Sequence, residues 1–309
     1  MRVRNFCAGP AAIPEPVLEE VRSELLEWGN AGMSIMEMSH RSSIFDEVAS
    51  NAKQDFIELL NIPDEYDVLF LQGGATHQFS MVPLNFSSQE DSADYLVTGA
   101  WSKKAILEGQ KYSKINIVAS SEADNFTHAP DSKLWNLDSN AKYFHYAPNE
   151  TIQGVAIHQP PDIDVPIVAD MSSVILSEPI DVSKFGLIYA GAQKNIGPAG
   201  LTIVIIQKEM FEKENSSNSN ILRYSQHSKN NSMLNTPPTF AWYMAGKVFK
   251  WLKSEGGLEV ICKKNHFKAN TLYQFIDESN FFSNPVAVEN RSIMNIPFIL
   301  ADNNLDSLF

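Results

Sequence analysis

The sequence predicts an α/β fold: a large domain built on a mostly parallel sheet covered by helices, followed by a small α+β domain. Three observations carry that expectation. Short apolar runs alternate with amphipathic stretches along most of the chain, the pattern of strands joined by crossover helices. At 309 residues and 44% hydrophobic composition, there is room for one large core and a smaller unit. After Gly256-Gly257 the composition shifts toward Lys and Asn, which marks a boundary.

Residues 13–27 (IPEPVLEEVRSELLE) read as a helix with Pro in its first turn. Residues 42–62 form a second helix. There Ile44, Phe45, Val48, Ala52, Phe56, Leu59 and Leu60 recur three or four apart and predict one buried stripe. YDVLFLQ (66–72) is a strand that runs into Gly73-Gly74 and a helix through Met81. Further strands are expected at 94–99, 114–120, 165–170, 186–191 and 200–206, with helices at 101–112 and 239–257. The polar run KENSSNSN (213–220) is a surface loop. Beyond the boundary come a helix and the apolar strand SIMNIPFIL (292–300). The domains are therefore 14–256, and 1–13 with 257–309. The last residues read as a strand and the opening of a helix, so the small domain is expected to be incomplete at its C-terminal end.

The net charge of −13, from 24 basic and 37 acidic residues, argues against nucleic acid as a partner. No stretch is apolar enough for a membrane span or a signal core, and a cytoplasmic location is expected. Cys7 and Cys262 are too few and too far apart for a disulfide framework or a metal cluster, so no metal is expected. An acidic protein that binds an anionic small molecule must concentrate cations locally, which directs attention to Arg and His in unusual contexts.

Asp170 ends the run VPIVAD, and Lys194 follows in the turn after GLIYAG. Carboxyl ends of parallel strands face the ligand crevice, so the two are expected on neighbouring strand ends. An acid and a lysine so placed suit pyridoxal 5'-phosphate (PLP): the lysine forms a Schiff base with the aldehyde and the carboxylate keeps the pyridine nitrogen protonated. Taken alone, the pair is better explained as a salt bridge or two unrelated loop charges. Gly73-Gly74-Ala75-Thr76, between a strand and a helix, offers backbone N–H groups to a phosphate, or is an ordinary tight turn. It fits neither nucleotide-binding glycine fingerprint. Trp101 follows a strand and either stacks on a flat ring or fills the core. Thr151 donates to a ring hydroxyl or caps a turn. Asn235-Thr236 precede Pro237-Pro238, so Thr236 is a natural N-cap as well as an anion contact. His40-Arg41 lie between the first two helices and bind a phosphate or carboxylate, or form a solvated turn.

Taken together, NFCAGPAAIP, MSIMEMSHRS, VLFLQGGATHQF, YAPNETIQG, VADMSSVILSEPIDVSKFGLIYAGAQKNIGPAGLTIVII and NTPPTFAWY resemble, in order and over nearly the whole chain, the phosphoserine aminotransferase family of the PLP-dependent aminotransferase superfamily, class V type. The resemblance implies an aminotransferase-type fold and transamination between L-glutamate and 3-phosphohydroxypyruvate to give O-phospho-L-serine. That is a step of serine biosynthesis, with a possible side role in vitamin B6 synthesis. It makes Lys194 the Schiff-base lysine and Asp170 the partner of the pyridine nitrogen. Trp101 stacks on the ring, and Thr151 contacts its phenolic oxygen. Ala75, Thr76 and Gln193 hold the cofactor phosphate. Asn235 and Thr236 reach the phosphate in the other subunit of a homodimer, and His40 and Arg41 meet the substrate's anionic groups. Ala8 stands where many members have Ser, and Ala75-Thr76 where some bacterial members have Gly-Arg, with His77 beside them. Family members extend further and carry there an arginine for the substrate α-carboxylate. A PLP-binding, catalytically impaired dimeric relative is the alternative reading.

Overall fold

The computed structural model describes residues 2–305. Among the described residues, seven strands form one sheet in the order β1-β7-β6-β5-β4-β2-β3. They are β1 (Tyr66–Leu71), β2 (Ser92–Val97), β3 (Lys114–Ser120), β4 (Phe144–Tyr146), β5 (Ile167–Asp170), β6 (Leu187–Gly191) and β7 (Thr202–Gln207). The five strands from β6 to β3 are parallel, and β7 pairs antiparallel with both β6 and β1. The sheet is thus mostly parallel, as expected, with one reversed strand where a tight connection replaces a crossover helix.

Helices cover both faces: α1 (Glu15–Glu24), α2 (Ser43–Leu60), α3 (Gly74–Phe86), α4 (Ala100–Gly109), α5 (Tyr224–Lys229), α6 (Thr239–Ser254) and α7 (Gly257–Asp277). The period-2 geometry of the strands divides the core between the faces. Ile188 and Ala190 of β6, with Val68 and Phe70 of β1, join the cluster under α2 and α6. Leu187, Tyr189, Leu69 and Leu71 point the other way, toward α3 and α4. Both faces are therefore dry, and the strands read as continuous apolar runs. Phe70 stacks on Trp242 of α6 with ring centroids 4.3 Å apart, which locks that helix onto the sheet.

Several local expectations are corrected. On α2 the buried face is Phe45, Ala49, Ala52, Phe56, Leu59 and Leu60. Ile44, in the first turn, points outward at 39% exposure, and Val48 is only half-buried, while Ala49 is buried beside it. Strand β4 has no counterpart in the sequence reading, since three residues with a central His carry no period. The expected strand 292–300 shrinks to β9 (Ile299–Leu300), paired with β8 (Phe282–Ser283). Upstream, Ser292 Oγ accepts from the N–H groups of Met294 and Asn295, and Pro297 offers no N–H, so the segment turns instead of pairing. A 3-10 turn follows at Asn303–Leu305; the rest of the expected terminal helix, 306–309, lies outside the described residues. The first turns of α7 bury Leu258 and Ile261 in the main core, so the 256/257 boundary is a hinge in composition and not a gap in packing.

Candidate active site

In the β5–β6 register Asp170 lies opposite Tyr189, so the two strands deliver Asp170 and the turn after Gly191 to one edge of the sheet. Lys194 Nζ donates to Thr151 Oγ1 at 2.6 Å and stands 5.0 Å from the centre of the Trp101 ring. Asp170 is buried, and its Oδ1 accepts from Ser172 N at 3.0 Å and Ser172 Oγ at 2.6 Å. The same hydroxyl accepts from Gly191 N at 3.0 Å, which ties the acid to the end of β6. Sequence, register and hydrogen bonding thus bring Lys194, Asp170, Thr151 and Trp101 together.

The electrostatics follow from burial. Desolvation pushes Lys194 below its ordinary value, while the charges of Asp170 and Glu150 work in the opposite direction. Desolvation pushes Asp170 up, opposed by Lys194 and by the Ser172 hydrogen bonds. A lysine that loses its proton more readily than usual is a better nucleophile toward a carbonyl. A buried carboxylate in that setting favours a cationic partner.

Glu150 is a buried acid beside the site that sequence reasoning missed. It is fully buried, and its Oε2 accepts from Trp101 N at 3.0 Å. Its Oε1 accepts from Ser102 N at 2.9 Å and Ser102 Oγ at 2.6 Å. The carboxylate therefore caps the N-terminus of α4 from the loop that also carries Thr151. A Cβ on Gly99 would come within 2.5 Å of Glu150 Cδ, so only glycine there leaves the acid room. Burial pushes Glu150 up, and Asp170 adds to the rise, while the Ser102 and Trp101 hydrogen bonds oppose it. With partners 48 and 49 residues away, no local pattern signals this role. Asn149, next to it, donates to Ser173 Oγ and to Asn295 Oδ1, both at 2.8 Å, and so fixes the loop to the Asp170 segment and to the C-terminal region.

Gly73 and Gly74 both take positive φ, 96° and 68°, and α3 starts at Gly74 with no side-chain cap. Its first-turn N–H groups, with Ala75 and Thr76 among them, are thereby left for an anion. A Cβ at Gly73 would lie 2.5 Å from His77 Nδ1, so that imidazole folds back over the turn, 3.4 Å from Gln72 O. Ala11 N donates to Gln193 O at 2.8 Å, and a Cβ on Gly9 would lie 3.0 Å from Lys194 Cγ. The N-terminal segment next to Ala8, a position the resemblance puts near the substrate, thus lies against the lysine turn.

The remaining expected residues make no hydrogen bond to Lys194, Asp170, Thr151 or Trp101 among the described residues. Thr236 O accepts from Gln72 Nε2 at 2.8 Å, and Asn235 borders a cavity with Gln72 and His77. Thr236 is not an N-cap: α6 starts at Thr239 behind Pro238, because two successive prolines hold the chain extended. Arg41 is exposed, and the buried Nε2 of His40 has no partner among the described residues. Both precede Ser42, whose Oγ accepts from Phe45 N at 3.2 Å to cap α2.

The site suits pyridoxal phosphate on its own features. A lysine and a buried acid converge at strand ends, and two positive-φ glycines open an uncapped helix start. The indole Nε1 of Trp101 is buried without a partner, a polar atom still to be satisfied.

A family model described as Aminotransferase class-V matches residues 3–309. The phosphoserine aminotransferase of Acinetobacter baylyi is 54% identical over 310 residues, covering 100% of this chain and 86% of that protein. The crystal structure of the phosphoserine aminotransferase from Bacillus circulans subsp. alkalophilus superposes with a TM-score of 0.97 at 44% identity, covering 99% of this chain and 86% of that one. The PLP-bound phosphoserine aminotransferase from Trichomonas vaginalis does so at 0.92 and 41% identity, covering 98% of this chain and 90% of that one.

Proposed function

We propose that this chain, which belongs to the aminotransferase class-V family and within it to the phosphoserine aminotransferases, exchanges an amino group between L-glutamate and 3-phosphohydroxypyruvate, giving 2-oxoglutarate and O-phospho-L-serine. The observation that carries the reading is the convergence of Lys194 with Thr151, Trp101 and the buried Asp170 at the ends of β4, β5 and β6. Pyridoxal phosphate, when bound, supplies the electron sink that makes a substrate Cα proton acidic.

The chain's own residues do the rest. Lys194 would anchor the cofactor covalently and, with its amine free, would serve as the base and acid that moves the proton. Asp170 would keep the ring nitrogen protonated. Thr151 would bind the ring oxygen, Trp101 would stack on the ring, and the α3 start with Ala75, Thr76 and Gln193 would hold the phosphate. We assign residues 14–256 to the cofactor domain, and 1–13 with 257–309 to the small one.

His40 and Arg41 are assigned to the anionic groups of the substrate, and Asn235 and Thr236 to the cofactor phosphate of a second subunit. The family resemblance implies a homodimer in which each site is completed by the other copy. No helix among the described residues is long and apolar enough to cross a membrane, and we place the enzyme in the cytoplasm. The test is amino transfer from glutamate to phosphohydroxypyruvate by the purified protein, together with borohydride reduction. Reduction should attach the cofactor irreversibly to wild type and not to Lys194→Ala. A Lys194→Ala enzyme that turns over at the normal rate would overturn the reading.

A further inference from the structure

The fold gathers three metal-ligating side chains, two from α7 and one from the segment after β5, that lie far apart in sequence. Cys262 and His266 sit one turn apart on α7 and so share a face. Glu178 comes from the segment after β5. One donor atom from each lies within 4.8 Å of the other two. Between them on the helix, the buried Asn265 donates Nδ2 to Ser177 O at 2.9 Å, which pins α7 against the residue next to Glu178. The three side chains therefore meet at a braced helix–loop contact, with Glu178 and Cys262 half-buried and His266 exposed.

We propose that Glu178, Cys262 and His266 bind one thiophilic divalent cation, with zinc the best match to a thiolate, imidazole and carboxylate set. Ligands at about 2.0–2.3 Å from a tetrahedral zinc lie roughly 3.3–3.7 Å from one another. Drawing the three donors in from their present spacing takes about 1 Å, within the reach of side-chain torsions and without backbone movement. Three protein ligands leave a fourth position for water. Glu178 also lines a cavity of ≈ 270 Å³ with His158, Asp181 and Lys184, and that space supplies it. The bound ion clamps α7, the first helix of the small domain, to the strand segment that carries Asp170.

The same three residue types also describe a thiol nucleophile with its base and orienting acid. The structure argues against that. No hydrogen bond joins Cys262 to His266 among the described residues. Burial, with the carboxylates of Glu178 and Glu259, pushes the Cys262 thiol up, the reverse of what a nucleophile needs. Carboxylates that oppose a bare thiolate become an advantage once a dication shares the site. Cys7, the other free cysteine, is exposed on the N-terminal segment and is not among the three donors.

The test uses the full-length protein with its cofactor, freed of metal by a chelator and then titrated with zinc or cobalt(II) alone. One equivalent per chain is expected. Cobalt should give tetrahedral ligand-field bands together with a thiolate charge-transfer band, and the thiolate band should vanish in Cys262→Ser. Cys262→Ser, His266→Ala and Glu178→Gln should each weaken zinc binding by roughly 100-fold, at or beyond the upper end of what loss of a supporting residue costs. Circular dichroism of the metal-free variants checks that they fold, and the cobalt spectrum of the wild type needs no variant. Absence of a one-equivalent site overturns the proposal, as does zinc that binds equally tightly to all three variants. None of the three residues belongs to the proposed transamination site, so either outcome leaves that reading untouched.

Discussion

The strand-end pocket and the outlying anion residues are built in opposite ways. Beside the half-buried Lys194, the two acids Asp170 and Glu150 are buried, and all three are braced by hydrogen bonds. Asp170 is held by Ser172, Glu150 by the α4 N-terminus, and Lys194 by Thr151. At His40-Arg41 the guanidinium is exposed and the imidazole Nε2 has no partner among the described residues, while Asn235-Thr236 contact Gln72 and not the lysine. The hydrogen bonds that brace the first region close within one chain, the preorganisation that covalent chemistry favours. The second is open and lacks partners, as recognition surfaces must be before their ligand or second subunit arrives.

That contrast predicts a graded series of effects. The largest belongs to the pocket: Lys194→Ala should cut turnover at saturating substrates by roughly 10⁴-fold, the scale of a lost general acid–base group. Retention of more than a tenth of wild-type turnover would break the contrast at its centre. Asp170→Asn should lower kcat by about 10²–10³-fold, as expected for loss of a preorganised charge, with substrate KM little changed. Steady-state kinetics separate the two parameters.

Outside the pocket the effect should move from kcat to KM. Arg41→Ala should raise KM for the phosphorylated substrate by roughly 10–100-fold, the loss of a charge-assisted hydrogen bond of about 1.5–3 kcal/mol. The visible absorption of the bound cofactor should stay as it is. If that absorption changes with Arg41, the two regions are not separate.

The smallest expected effect is structural. Glu150→Gln keeps an acceptor for Ser102 but turns an amide toward the Trp101 N–H, and should cost about 2 kcal/mol in thermal unfolding. It should also change the pH dependence of stability. With its carboxyl raised by burial in the folded state, Glu150 holds its proton at pH values where the unfolded chain has already released it. Stability is then highest below the ordinary carboxylate range and falls as pH rises through the window up to the raised value. The variant should lose that slope. Melting of the cofactor-free protein between acid and neutral pH checks it, and an unchanged slope would show that another group carries it.

The chemistry was legible where it lay on strand ends. Apolar runs announce strands, and the residue just beyond each run, Asp170 or the turn holding Lys194, is placed by the topology of parallel sheets. The glycine pair before α3 was legible for a similar reason, since only a backbone free of Cβ enters that turn easily. The partners of Glu150 were not legible, because an N-cap is recognised by adjacency and this one comes from a distant loop. Neither was the three-residue β4, which is too short to show a period. Ile44 fitted the helical stripe of α2 and still points outward, and Val48 only packs against the core's edge, because periodicity fixes a face only to within a residue.

By itself, then, the sequence determined where the strands run, that Asp170 and the Lys194 turn lie at strand ends, and where a glycine pair opens a helix, since all three depend on local backbone rules; the roles given to those residues come from the family resemblance. Tertiary structure alone decided which helix start Glu150 caps, how Asp170 is tied through Ser172 to β6, and that Cys262, His266 and Glu178 meet. Each of those depends on bringing distant segments within hydrogen-bond or ligand distance, and the free energy that does so comes from burying the two faces of the sheet.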